Sequence, residues 1–143
     1  MKIYILLLTL VLSLSAVQID EFAAEVNYSR EYRSALDLAK KEKKILMILV
    51  VADYCPWCKK FERKTLKNVE VKKRVNEEFI ALAIDKFKDK GTFPDKFASP
   101  VIPTVYFVNP KTQKEILSTV GYMKRKEFLL EMDKALELFK VRN

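Results

Sequence analysis

The chain has 143 residues, half of them hydrophobic and 32% charged, a balance that excludes a disordered polymer and suits one packed domain. Basic residues outnumber acidic ones 27 to 19, for a formal charge of +8, and there are two cysteines and no histidine. This inventory excludes Ser-His-Asp and Cys-His nucleophile pairs, His-containing or four-cysteine zinc centres, and iron–sulfur clusters ligated by this chain alone.

Lys2, the apolar run Ile3–Leu12 and the small-residue exit at Ser13–Ala16 have the order of a secretory signal peptide, so residues 1–16 are expected to be removed on export, with the bacterial periplasm as the destination. The alternative is an anchor through the uncharged residues 3–19, whose length is at the lower limit for spanning a bilayer. Residues 17–27 are read as an N-terminal segment with a short edge strand, and residues 28–143 as the domain proper. Lys and Arg are interleaved with acids, as in Lys40-Lys41-Glu42-Lys43-Lys44, and no RNA-binding signature is present. A solvated basic surface is therefore expected, and no nucleic-acid partner.

Tyr28, Tyr32, Ala35, Leu36 and Ala39 recur at helical spacing, which predicts a helix to about Lys43 with Ser29 as its N-cap. The unbroken apolar run Ile45–Ala52 predicts a strand buried on both faces. Asp53-Tyr54-Cys55-Pro56-Trp57-Cys58 ends that strand. A helix is predicted from Lys59 to about Lys67, and a second one capped by Asn68 that carries Val71 and Val75. Phe79–Ile84 predicts a second strand, and Phe87–Ser99 a polar connection with a helical turn. Thr104–Val108 and Ile116–Val120 predict a hairpin around Asn109–Gln113. Phe128, Met132, Ala135, Leu136 and Phe139 mark a final amphipathic helix. Two strands joined through a helix imply a parallel crossover, and the hairpin adds antiparallel strands. The fold class is α/β, a central mixed sheet of about four strands with helices on both faces.

The chemistry concentrates at Cys55 and Cys58. A helical turn starting at the first cysteine brings the second sulfur beneath it. Cys55 then lies at a helix N-terminus, where unpaired N–H groups favour a thiolate. Pro56 suits the first helical turn, Lys59 and Lys60 add positive potential, and Cys58 is placed to resolve a mixed disulfide. Three readings stand open on the residues alone: a redox pair, a Cu(I) site of two thiolates, and a structural disulfide. The last gains little, because so small a loop barely restrains the unfolded chain.

Ala52–Lys59 after a buried strand, with Val101-Ile102-Pro103-Thr104 downstream, resembles the active-site segment and facing Ile-cis-Pro-Thr loop of the thioredoxin superfamily. The stretch Cys58–Leu66, with Val71 beyond it, is most similar to the C-terminal thioredoxin-like domain of DsbD-type disulfide reductases and their stand-alone exported relatives. The resemblance covers about residues 28–139. It implies a thioredoxin-like fold and an exported thiol–disulfide oxidoreductase acting on protein disulfides, with Cys55 attacking and Cys58 resolving through a redox-active disulfide. It further implies a cis Pro103 that, with Ile102 and Thr104, positions the substrate chain. A reducing direction, a membrane disulfide reductase as electron donor, a monomer and no cofactor complete the expectation. Tyr54 replaces the Trp of thioredoxins proper, Pro56-Trp57 replaces Gly-Pro, and Leu49 stands where many carry a buried acid. Asp53 is the nearest acid and the candidate proton relay; Trp57 and Tyr54 are candidate substrate contacts. A non-catalytic module, either a copper carrier or a peptide-binding adaptor, is the alternative.

Overall fold

The computed structural model describes residues 18–142. The expected signal segment 1–16 lies outside them, and among the described residues no helix is long and apolar enough to cross a membrane.

The described residues open not on the expected edge strand but on helix α1 (Gln18–Val26). Ile19, Phe22, Ala23 and Val26 repeat at the helical period and are all buried in the same core as the sheet. The packed unit therefore reaches back to Gln18. What pairs with the sheet is Ser29 alone, in a parallel bridge to Leu82: its N–H donates to the Ala81 carbonyl at 2.8 Å and its carbonyl accepts from Ala83 N–H at 2.9 Å. That bridge also displaces the expected cap. With the Ser29 backbone held at the sheet, α2 (Tyr32–Glu42) starts later, capped by Glu31, whose carboxylate accepts from Arg33 N–H at 3.0 Å and Ser34 N–H at 2.7 Å.

Four strands follow the apolar runs: β1 (Ile45–Val51), β2 (Phe79–Asp85), β3 (Thr104–Val108) and β4 (Glu115–Val120), in the order β2-β1-β3-β4. β1 runs parallel to β2 and antiparallel to β3, which is antiparallel to β4. Central β1 is buried at every position. Its alternation splits the interior into two cores. Ile45, Met47, Leu49 and Val51 face α1 and the helices that follow the cysteines, while Leu46, Ile48 and Val50 face α2 with Phe93 and Phe97. A 3-10 turn at Asp95–Phe97 supplies the helical turn expected in the polar connection.

Beyond β1 the helical region differs in detail from its sequence reading. Helix α3 spans Pro56–Phe61 and starts at the cysteines rather than at Lys59. It widens into a π-helical turn over Glu62–Leu66, in which Glu62, Thr65 and Leu66 are buried. The Thr65 hydroxyl donates to the Met123 carbonyl at 2.6 Å and ties this turn to the segment after β4. Asn68 does cap α4 (Val69–Glu78), its Oδ1 accepting from Glu70 N–H at 3.1 Å and Val71 N–H at 3.3 Å. Asn68→Ala is expected to cost about 1 kcal/mol, read as a lower urea midpoint at unchanged slope. Helix α5 (Arg125–Val141) closes the α3 side with Phe128, Met132 and Ala135. The Phe128 ring stands edge-on to Phe61, with centroids 5.4 Å apart.

Candidate active site

The end of β1 delivers the chain to a tight turn. Tyr54 adopts φ 57°, a left-handed conformation uncommon for a residue with a side chain, and its ring is 94% exposed. Cys55 is the N-cap of α3 and is joined to Cys58 by a disulfide, with Cα atoms 5.2 Å apart. The Cys55 Sγ accepts from Cys58 N–H at 3.2 Å, and the Cys55 carbonyl accepts the first helical bond from Lys59 N–H at 3.0 Å. Pro56 occupies the first turn, where its missing N–H costs nothing. The two sulfurs differ sharply in access: Cys55 is half-buried and Cys58 is fully buried in the core.

The loop 99–103 lies at the same end of the sheet as the cysteines, because Thr104, which follows it, pairs with Val50 near the end of β1. The Ile102–Pro103 peptide is cis. The Pro103 carbonyl accepts from Gly121 N–H at 2.7 Å, which pins the loop to the end of β4. Thr104 is turned inward: its hydroxyl donates to the Val101 carbonyl at 2.7 Å and lies 3.0 Å from the Ser99 hydroxyl. Thr104 thus holds the loop, while Ile102 stays half-buried against the same core as Cys55.

Trp57 and Tyr54, the candidate substrate contacts, are both exposed. Trp57 pairs with Tyr122, centroids 5.9 Å apart, and Tyr122 in turn stands edge-on to Phe61. Of the two lysines expected to add potential, Lys59 reaches Glu62 at 3.4 Å, and Lys60 lies over the rings of Trp57 and Tyr122. Asp53, the acid singled out in the sequence, is engaged in an ion pair with Lys88.

Sequence reasoning missed Glu62. It lines an open cleft of about 620 Å³ with Phe22, Glu25, Tyr54, Cys55 and Lys59. Its residue is only 4% exposed, and Oε1 has no hydrogen-bond partner among the described residues. Burial raises its pKa above the ordinary carboxyl value, against the smaller opposing pull of Lys59. One signal was in the sequence: Glu62 is four residues beyond Cys58, hence on the inward face of the same helix. Native Glu62 holds its proton more tightly than the unfolded chain does. Stability therefore falls as pH rises from the ordinary carboxyl range through the raised native value, and is flat beyond it. Glu62→Gln is expected to lack that slope and to gain stability relative to the parent across this window, as measured by urea midpoints at a series of pH values.

Residues 32–136 match the family model described as thioredoxin-like domain, and the chain belongs to that family. Among solved structures it is similar to a thioredoxin from Thermus thermophilus, at 23% identity and TM-score 0.68, covering 76% of this chain and 86% of that one. It is also similar to the reduced C-terminal domain of DsbD from Neisseria meningitidis, at 25% identity and TM-score 0.57, covering 72% of this chain and 92% of that one. A DsbH oxidoreductase aligns at 19% identity and TM-score 0.64, over 77% of this chain and 84% of the other. A curated relative, spermatogenesis-associated protein 20 of Mus musculus, is 35% identical over 54 residues, which are 38% of this chain and 7% of that protein. The fold, the Cys-x-x-Cys disulfide at its strand–helix junction and these relatives together support thiol–disulfide oxidoreductase chemistry.

Proposed function

We propose that this chain is an exported thiol–disulfide oxidoreductase that reduces protein disulfides. The carrying observation is the unequal pair: a half-buried Cys55 at a helix start, and a fully buried Cys58 whose N–H points at the Cys55 sulfur. In the dithiol state, that N–H and the helix terminus favour a Cys55 thiolate. The thiolate attacks one sulfur of a substrate disulfide. The substrate S–S bond breaks, the displaced sulfur leaves as a thiolate that takes a proton from solvent, and a Cys55–substrate disulfide forms. Cys58 loses its proton and attacks Cys55 Sγ, which releases the second substrate thiolate and closes the Cys55–Cys58 disulfide. Two electrons pass from this protein to the substrate. A membrane disulfide reductase is the proposed donor that restores the dithiol.

Substrate positioning falls to Ile102, whose backbone is free to pair with an extended peptide, with Trp57 and Tyr54 as flanking contacts. Pro103 and Thr104 set the loop that carries Ile102. For the proton of Cys58 we assign Glu62 as acceptor ahead of Asp53, because Glu62 is buried beside the cleft it shares with Cys55 and has an unpartnered oxygen. Export rests on the signal-like order of residues 1–16.

Turnover of insulin disulfides with a chemical dithiol as donor, together with the reduction potential of the Cys55–Cys58 pair, tests the reading. Turnover with a potential of about −200 mV or lower is expected for a reductant. A potential near the −120 mV typical of strong oxidants would reverse the direction. Stoichiometric Cu(I) binding without any exchange would instead favour a copper carrier.

A further inference from the structure

The positive charge beside the disulfide is held in an unusual way. The Lys60 ammonium lies 5.1 Å from the centre of the Trp57 ring and 4.7 Å from that of Tyr122. Aromatic faces fix a cation in place without neutralising it. No carboxylate among the described residues pairs with Lys60, whereas Lys59 is paired with Glu62, Lys67 with Glu25 and Lys88 with Asp53. Those pairs engage Glu62 and Asp53, the acids nearest the two cysteines in sequence, so Lys60 stands as an uncompensated charge.

Its place matters as much as its charge. Trp57 lies between the two cysteines, and Tyr122 follows Gly121, whose N–H is bonded to the Pro103 carbonyl. The platform therefore bridges the helix that carries the thiols and the segment bonded to the Pro103 loop. Trp57 of the platform is 58% exposed and Tyr54, beside Cys55 in the chain, 94% exposed, and such groups suit contact with a polypeptide rather than a small anion.

We propose that the Trp57–Lys60–Tyr122 platform selects its substrates by charge: extended protein segments that carry a carboxylate side chain next to the disulfide cysteine. The inference rests on the thiol–disulfide exchange proposed above and names the substrate class for it. A carboxylate at that position pairs with the ring-held ammonium while the cysteine meets Cys55. A lysine there meets like charge, which slows encounter.

The test uses the reduced protein and disulfide-linked peptides that differ only in one residue flanking the cysteine: Glu, Gln or Lys. The Glu peptide is expected to exchange about five to ten times faster than the Lys peptide at low ionic strength, with the gap closing near about 0.5 M salt. The Glu-to-Lys ratio within each variant is the readout, which cancels any general loss of activity. Lys60→Arg is expected to keep the ratio, Lys60→Met to bring it to one, and Lys60→Glu to invert it. Equal rates with the wild-type protein, or a ratio unchanged in Lys60→Met, would overturn the selection. Uncharged 2-hydroxyethyl disulfide separates the two levels. A protein that reduces it but ignores peptide charge loses only the selection; one that does not react with it loses the exchange reading as well.

Discussion

Cys55→Ser is expected to lower disulfide-exchange activity by roughly a thousandfold or more, because the thiolate is the attacking species and a serine hydroxyl stays protonated at neutral pH. Cys58→Ser is expected to behave differently. It leaves half-buried Cys55, the proposed nucleophile, at the helix start and removes only the thiol proposed to resolve the mixed disulfide. Turnover stops, yet the first attack continues, so substrate accumulates as a covalent adduct on Cys55. Stopped-flow rates with a peptide disulfide, and mass spectrometry of the trapped product, check the pair. Adducts forming equally on both single variants would show that the thiols are interchangeable and would sink the assignment of attacking and resolving roles. Substrate proteins captured on Cys58→Ser would also identify the partners directly.

A chain that begins at Tyr28 is expected not to fold cooperatively. Ile19, Phe22 and Val26 of α1 are each at most 3% exposed, and the Phe22 ring stands edge-on to Tyr28 with centroids 5.6 Å apart. Burying each such side chain contributes about 1.5–3 kcal/mol. Their combined loss is comparable to the whole stability of a typical domain, about 5–15 kcal/mol. The Arg30 guanidinium adds to the same dock, at 2.7 Å from Asp20 of α1 and 2.8 Å from Asp89 beyond β2. Urea denaturation of chains starting at residue 17 and at residue 28 decides the matter. Equal midpoints and slopes would show that α1 is an accessory. The point mutant Phe22→Ala, expected to cost about 3–5 kcal/mol, gives a graded version of the same measurement.

Much of the sheet could be read from the chain because each strand carries its own local signal. Ile45–Val51 is an apolar run too short for a membrane and too rich in β-branched residues for a helix, and it became the fully buried central strand. The hairpin was visible through Asn109, whose Oδ1 accepts from Lys111 N–H at 2.9 Å. The site was legible where chemistry is local in sequence: two cysteines one helical turn apart, and a proline ahead of a strand. What escaped depends on contacts between distant segments. The apolar period of α1 adjoins a signal-like run, and only its packing against the sheet makes it part of the domain. Ser29 has cap chemistry, yet its backbone is held by β2, fifty residues on. Tyr122 gives no sequence hint of sitting against Trp57, because only the closing of β4 onto the Pro103 loop brings them together. Glu62 reads as one more charge in a basic helix until its burial is seen.

The complete burial of Cys58 has a kinetic meaning. In the proposed exchange an incoming disulfide meets only Cys55, so every encounter enters by the same sulfur and leaves by an attack from within. That departure is a unimolecular event of the joined pair, untouched by how much substrate surrounds it. In the proposed cycle, with substrate and electron donor both in excess, turnover is therefore expected to run at a pace set by the interior, the speed with which Cys58 gives up its proton and reaches its partner.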